Sequence, residues 1–384
     1  MRQPVSRRPT QPSQRDAFAP AGLRLGTLFG APIYVAPSWL IFLGWITIAF
    51  APWVGENVDD IGGGRYAVSL AFGIFLGLSV LAHEIGHCVL ARVFDVPIQR
   101  VVLTWLAGHS AFEREPSTPR RMIAVAVAGP ATNLVLAGGA WLVYQSLPHA
   151  TVGSVLAYGL AWTNGLVGVY NLLPGLPLDG GQVLRAAVWA ITHNQRTGTI
   201  GAAWAGRVLG VGTGVLGLAL ATRTDAPDQS AGLWALIIAA MMVISSSGVL
   251  RQQVLRDRIP TLNARTLARR ALPVAADLPI SEAIRRAHEA QARGLVVVDG
   301  DGHPTGVVNE AAVTATPEAR RPWVNVGAVA RGLGPDQFVA AQLVGEALLK
   351  QLQEAPAAEY VVVEPDGSLY GVLAASDVAA ALRG

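Results

Sequence analysis

The sequence predicts a polytopic α-helical membrane protein of about six transmembrane helices, followed by a C-terminal α/β domain built from a duplicated unit. Three observations carry this expectation. Of 384 residues, 52% are hydrophobic and only 14% charged, a balance outside that of soluble enzymes. The long apolar runs lie almost entirely before Gln252, whereas the chain from Arg256 onward has an ordinary soluble composition. Within that tail, LVVVDGDGHPTGVV at 295–308 aligns without gaps to YVVVEPDGSLYGVL at 360–373, an internal repeat. The formal charge of +3 gives no reason to expect a nucleic acid partner. Cys88 is the sole cysteine, which excludes an internal disulfide.

Residues 1–24 are rich in Arg, Pro, Gln and Ser and lack an apolar core, so they read as a disordered cytoplasmic leader and not as a signal peptide. A membrane helix needs about 20 mostly apolar residues. Stretches near 33–54, 66–94, 122–147, 152–173, 202–221 and 231–250 meet that requirement, giving a domain over 25–250. Six spans put both termini on one side of the lipid bilayer. Arg100, Arg114, Arg120 and Arg121 follow the second span, and Arg185, Arg196 and Arg207 follow the fourth. Basic short connections mark the cytoplasmic side, so both termini are expected there, in a multi-pass protein of a prokaryotic plasma membrane. The connections at 54–64, 146–150 and 222–232 are acidic or neutral and fit the outer face. Residues 101–115 favour β-structure but are too short to span. They are expected to form a hairpin or re-entrant strand pair at the membrane edge, with its backbone groups paired or shielded by protein.

The second span contains His83-Glu84-Ile85-Gly86-His87. Positions four apart share a helix face, so both imidazoles can address one ion while Glu84 sits beside its open position. That is the geometry of a zinc protease, in which the metal activates water and the glutamate takes its proton. Ionisable residues inside a span are costly and usually mark function. A zinc site of this type needs a third protein ligand, for which Asp179 in the segment NLLPGLPLDGG at 171–181 is the candidate. Two prolines and the glycines there break the helix and let the carboxylate sit on a bent segment at membrane depth. A solvated Asp in a helix-ending turn is the plainer reading.

These motifs together resemble the site-2 proteases, intramembrane zinc metalloproteases, in particular their branch with C-terminal tandem CBS domains. HEIGH at 83–87 matches the HExxH of that family, and NLLPGLPLDGG matches its ligand motif. GPATN at 129–133 is similar to its third-span element and GAPIYVAPSWL at 30–40 to its first span. Ala36 stands where relatives often carry His. The resemblance implies one zinc per chain held by His83, His87 and Asp179, with Glu84 as catalytic base. Asn171 is a candidate to stabilise an oxyanion or to hold substrate backbone, with interhelical packing an equal alternative. Packing is the preferred reading for Asn133. Cys88 reads as a buried small side chain, and His109 and His193 as residues without a catalytic role. The strands at 101–115 would hold an unwound substrate by strand addition, so proline at Val102 or Leu103 is expected to reduce cleavage.

A charged linker at 251–262 leads to the repeats at 263–384. Each repeat is a strand, an acidic-glycine turn and a second strand, preceded by an amphipathic helix at 281–292 or 342–353. This pair resembles a tandem CBS regulatory domain, which implies an adenine nucleotide as ligand. Gly371 and Asp377 match the glycine and the ribose-binding acid of the signature. Ala374 replaces its hydroxyl residue, and in the first repeat Asn309 and Ala312 replace the hydroxyl and the acid. A nucleotide site using Asp377 and a purely structural or homodimer-forming pair remain equal readings. The expected function is regulated intramembrane proteolysis, the cleavage of transmembrane segments of other membrane proteins. The competing reading is a CBS-regulated metal cation transporter, which has no need of a base next to the first ligand.

Overall fold

In a computed structural model the described residues are 22–104, 108–223 and 226–383. The expected leader up to position 21 lies outside them, as does the side chain of His109. The chain divides into two compact units, Met1–Leu250 and Arg251–Gly384.

The first unit opens with a hairpin, β1 (Leu23–Leu28) and β2 (Ala31–Val35). Its two-residue turn has positive φ at Phe29 (51°) and Gly30 (85°), the left-handed pair that matches strand twist in a tight hairpin. This corrects the expected first span. Residues 31–35 are strand, and α1 (Pro37–Asn57) begins with Pro37 in its first turn, where a missing N–H costs nothing. The leader boundary also moves, since Leu23 and Arg24 are paired in β1.

After α2 (Gly64–Val93) come β3 (Ile98–Leu103) and β4 (Gly108–Phe112). They form the expected hairpin, with Val101 opposite Ser110. The hairpin does not stand alone, because β3 also pairs in parallel with β2, Tyr34 opposite Val102. The sheet order is β1-β2-β3-β4, so β3 is interior. Proline at Val102 or Leu103 would therefore break the sheet itself and not an open edge.

Four further long helices follow: α3 (Pro119–Ser146), α4 (Val152–Asn171), α6 (Gln195–Ala221) and α7 (Ala226–Arg258), the last running past Leu250. Thr118 caps α3, and Thr151 with Ser154 forms a capping box on α4, supplying acceptors to otherwise unpaired N–H groups. Among the described residues six helices are long and apolar enough to cross a membrane, as the sequence leads one to expect. A seventh, α5 (Asp179–Thr192), is too short for this and lies between the fourth and fifth spans. Helix α7 continues through Arg258, so most of the expected linker is helical.

The second unit contains α8 (Ala264–Leu267), β5 (Arg269–Ala275), α9 (Ile280–Glu289), β6 (Gly294–Val298), β7 (Pro304–Val308) and α10 (Glu310–Ala315). Next come β8 (Ala330–Gly332), β9 (Phe338–Ala340), α11 (Gly345–Glu354), β10 (Glu359–Val363), β11 (Leu369–Ala374) and α12 (Ala375–Arg383). One sheet runs β8-β7-β6-β5-β11-β10-β9. Its two halves repeat one pattern, β5 parallel to β6 and β6 antiparallel to β7, then β9, β10 and β11 in the same way. The repeats share their irregularities too. A register shift falls at Val297/Val298 and at Val362/Val363, and a positive-φ glycine closes each turn, Gly302 and Gly367.

Candidate metal centre

His83 and His87 stand one helical turn apart on α2, both buried. The spacing puts their rings on one face, 4.7 Å apart and nearly perpendicular. What aims the rings lies on α3 and α4. His83 Nδ1 is 2.5 Å from Asn133 Oδ1. Asn133 Nδ2 donates to Asn164 Oδ1 at 2.9 Å, and Asn164 Nδ2 donates to the Leu160 carbonyl at 2.9 Å. A carbonyl can only accept, so it fixes the amide of Asn164. Asn164 in turn fixes Asn133, and Asn133 fixes the proton on His83 Nδ1. His87 Nδ1 is 2.7 Å from the Val125 carbonyl and must donate as well. In the neutral rings both Nε2 atoms then carry the lone pairs, and they face each other across 3.1 Å. Between two unprotonated nitrogens that contact is no hydrogen bond. With both nitrogens unprotonated it is a repulsive approach that a cation would relieve.

Asp179 completes the group. Its Oδ2 lies 3.1 Å from His83 Nε2 and 3.4 Å from His87 Nε2. Zinc with arms of about 2.0–2.1 Å sets tetrahedral edges of about 3.3–3.4 Å, and the three sides of this triangle are close to that. Two neutral imidazoles and a carboxylate, with a fourth position left over, are a donor set that suits catalytic zinc.

The segment before Asp179 shows how a carboxylate reaches two histidines from another part of the chain. Helix α4 ends at Asn171, and Asp179 is in the first turn of α5, where the helix dipole favours a negative charge. Leu176 N donates to the Ala202 carbonyl at 3.0 Å, and Ser246 Oγ donates to the Leu176 carbonyl at 2.6 Å. The connection is thus tied to α6 and α7. The glycines permit this closeness, since a Cβ on Gly181 would stand 2.3 Å from Leu176 N.

Glu84 is buried, and its Oε2 accepts from Ser110 Oγ at 2.6 Å. Asn171 is half-buried at the end of α4, two turns from Asn164 and so on the same face. No hydrogen bond joins its side chain to the three ligand candidates. Asn133, expected to pack between helices, bonds across them to Asn164 and also meets His83 Nδ1. Asn164, Ser79, which accepts from it at 3.1 Å, and Ser110 were not singled out by sequence. Polar residues inside apolar spans were the available signal for the first two. Cys88 is buried and touches Ser110, and His193 ends α5 in the left-handed conformation.

In the second unit Asp377 is held by Arg269, with Nε to Oδ2 and Nη2 to Oδ1 both at 2.9 Å. A cavity of about 420 Å³ opens nearby, lined by Arg269, Arg293, Arg321, Glu310 and Glu359 among others, but not by Asp377. Burial raises the Glu359 carboxyl above the usual carboxylate range.

The profile of peptidase family M50 matches residues 71–160 and 145–211, and that of the CBS domain matches 264–315. The chain is 29% identical over 376 residues to sll0528 of Synechocystis sp., a candidate zinc metalloprotease by its name, covering 95% of this chain and 97% of that protein. It is 29% identical over 364 residues to Rip3 of Mycobacterium tuberculosis, named in the same way, with 92% and 91% covered. A solved site-2 protease from Methanocaldococcus jannaschii aligns at 23% identity with a TM-score of 0.44, over 59% of this chain and 94% of that one.

Proposed function

This chain belongs to peptidase family M50, the site-2 type of zinc metalloprotease, with CBS domains at its C-terminus, and from that premise we propose that it cleaves transmembrane segments of other membrane proteins. In this reading His83, His87 and Asp179 hold one zinc ion per chain and Glu84 is the general base. The observation that carries it is the triangle of Nε2, Nε2 and Oδ2 atoms with sides of 3.1, 3.1 and 3.4 Å, both imidazole Nε2 atoms turned inward.

When bound, zinc supplies a Lewis acid that makes water nucleophilic at neutral pH and polarises the scissile carbonyl. The rest falls to the chain. The Nδ1 contacts with Asn133 and the Val125 carbonyl aim each imidazole, leaving Nε2 on the side of Asp179. Glu84 takes a proton from the attacking water and delivers it to the leaving amine. Its burial excludes bulk water from the carboxylate. His83 lies ten residues before the end of α2 at Val93, roughly 15 Å of helix, so the cut falls below the membrane surface. A peptide bond within a regular helix has its carbonyl bonded and shielded, and the substrate must therefore be locally extended. β4 is the terminal strand of its sheet and would take such a segment as an added strand, with Asn171 as a further backbone partner. The transporter reading gives no role to Glu84 as a base one residue after the first ligand.

The protein is a multi-pass integral membrane protein. The arginine asymmetry of its connections supports cytoplasmic termini in a prokaryotic plasma membrane. For the CBS pair, adenine nucleotide binding near Asp377 would require the Arg269 pair to open, and a homodimer through this unit is the alternative. Calorimetric titration with ATP distinguishes the two.

The deciding experiment for the protease reading is co-expression with tagged single-span membrane proteins of the host, comparing wild type with Glu84→Gln. Uncut substrate should accumulate only with the variant. Equal processing by both would remove the mechanism.

A further inference from the structure

We propose that Ser110 is a positioning residue for cleavage, its hydroxyl holding the Glu84 carboxylate in one orientation from the last strand of the sheet. The inference rests on the reading of Glu84 as general base.

Glu84 projects from α2 toward β4. Its Oε2 accepts from Ser110 Oγ at 2.6 Å, the length of a hydroxyl bonded to a charged carboxylate. Gly108 is two residues earlier and so on the same face of the strand. A Cβ there would stand 2.5 Å from Glu84 Cγ and 2.8 Å from Oε1. One face of β4 therefore offers the carboxylate a gap and then a donor. Cys88, one turn after Glu84 on α2, places Sγ 3.4 Å from Ser110 Oγ. A serine hydroxyl has a single proton. Once that proton goes to Glu84, Ser110 can only accept from Cys88, and the thiol keeps the hydroxyl from turning away. The order Cys88 to Ser110 to Glu84 runs in one direction and ends at the base.

A general base works only when aimed at the proton it removes. A glutamate has three side-chain torsions, and burial alone does not choose among their settings. Ser110 and Gly108 choose for Glu84, one by bonding and the other by leaving room. Because both are on β4, a peptide paired to that strand would lie beside the residues that aim the base.

The test uses the full chain purified in detergent and a tagged single-span protein with a Gly-Pro step in its helix that wild type cuts. Ser110→Ala should lower kcat about 10- to 100-fold, the scale of a hydrogen bond lost to a charged group, with KM within about twofold and zinc content unchanged. Ser110→Thr, which keeps the hydroxyl, should recover to within about threefold of wild type. Wild-type kcat in Ser110→Ala, loss of its zinc, or a Thr variant as slow as Ala would each overturn the proposal. Glu84→Gln run alongside separates the two levels. If it cuts normally, the general-base reading falls and takes this one with it. If it is dead while Ser110→Ala is fully active, only the role of Ser110 is lost.

Discussion

Asn133 Oδ1 sits 2.5 Å from His83 Nδ1, and this contact leaves the other ring nitrogen facing Asp179. Outer partners of metal-binding histidines typically contribute 10- to 100-fold in metal affinity. Asn133→Ala should therefore weaken zinc binding by about that factor, read by competition with a chelator of known affinity. Asn133→Asp should retain more affinity than Ala, because a carboxylate still accepts from Nδ1. Equal affinity in wild type and Ala would mean the contact is packing alone.

Gly129 on α3 faces both rings. A Cβ at this position would stand 2.3 Å from His87 Nε2 and 2.6 Å from His83 Nε2, inside the space an ion would occupy. Gly129→Ala should lose most of its zinc, although Ala is the better helix former. Metal analysis of the purified variant, with helix content followed by circular dichroism, tests this. Full zinc occupancy would mean that α3 can shift without cost to the centre.

The ligands and the base should part under mutation. His83→Ala or Asp179→Ala removes one of three protein donors and should strip the ion. Glu84→Gln should keep about one zinc per chain while losing cleavage. Purified proteins assayed for both metal and activity answer this, and full occupancy in the two ligand variants would sink the ligand assignment.

How much of this was legible beforehand follows from how local each signal is. The six spans stand out because each is a continuous apolar run, and the repeat because two strand-turn-strand units share a sequence pattern. The hairpin β1–β2 was not legible. Its turn is Phe29-Gly30, and a phenylalanine in the left-handed region is not the asparagine or aspartate that signals such a turn. Helix α5 was hidden behind the prolines of its own approach. His83 and His87 announce each other through their spacing, and Asp179 through its motif. Ser110 carries no local mark, and Asn164 only that of a polar residue within an apolar span. Their meaning comes from strand register and from a helix contact between residues 31 positions apart.

Substrate choice should track how easily a helix opens. Segments with Gly or Pro near the cut are expected to be processed at least several-fold faster than uninterrupted leucine-rich helices, because Gly and Pro remove about 1–3 kcal/mol of local helix stability. Paired tagged substrates differing only at those positions measure it. Equal turnover would show that unwinding does not limit the reaction.

The last expectation concerns the frame around Asp179. Arg185 lies on α5, the helix that begins with Asp179, and its guanidinium makes a two-point contact with Glu115, at 2.6 and 3.2 Å. Gln195 adds a bond to the same carboxylate at 2.6 Å. The partners differ in exposure. The Arg185 side chain is 10% exposed and that of Glu115 49%, and Arg185 Nε is already buried without a hydrogen bond. Removing the acid strands a mostly buried cation, whereas removing the cation leaves a carboxylate that water can reach. Glu115→Ala should therefore cost about 1–3 kcal/mol, below the range of a fully buried pair because the acid is half-exposed. Arg185→Met keeps the apolar stem and should cost about 1 kcal/mol or less. Thermal unfolding in detergent reads the difference as a larger drop in Tm for the Glu115 variant. A larger drop for Arg185→Met would mean that the bond of the guanidinium to Gln182 Oε1 at 3.4 Å, and not its pairing with Glu115, holds α5 in place.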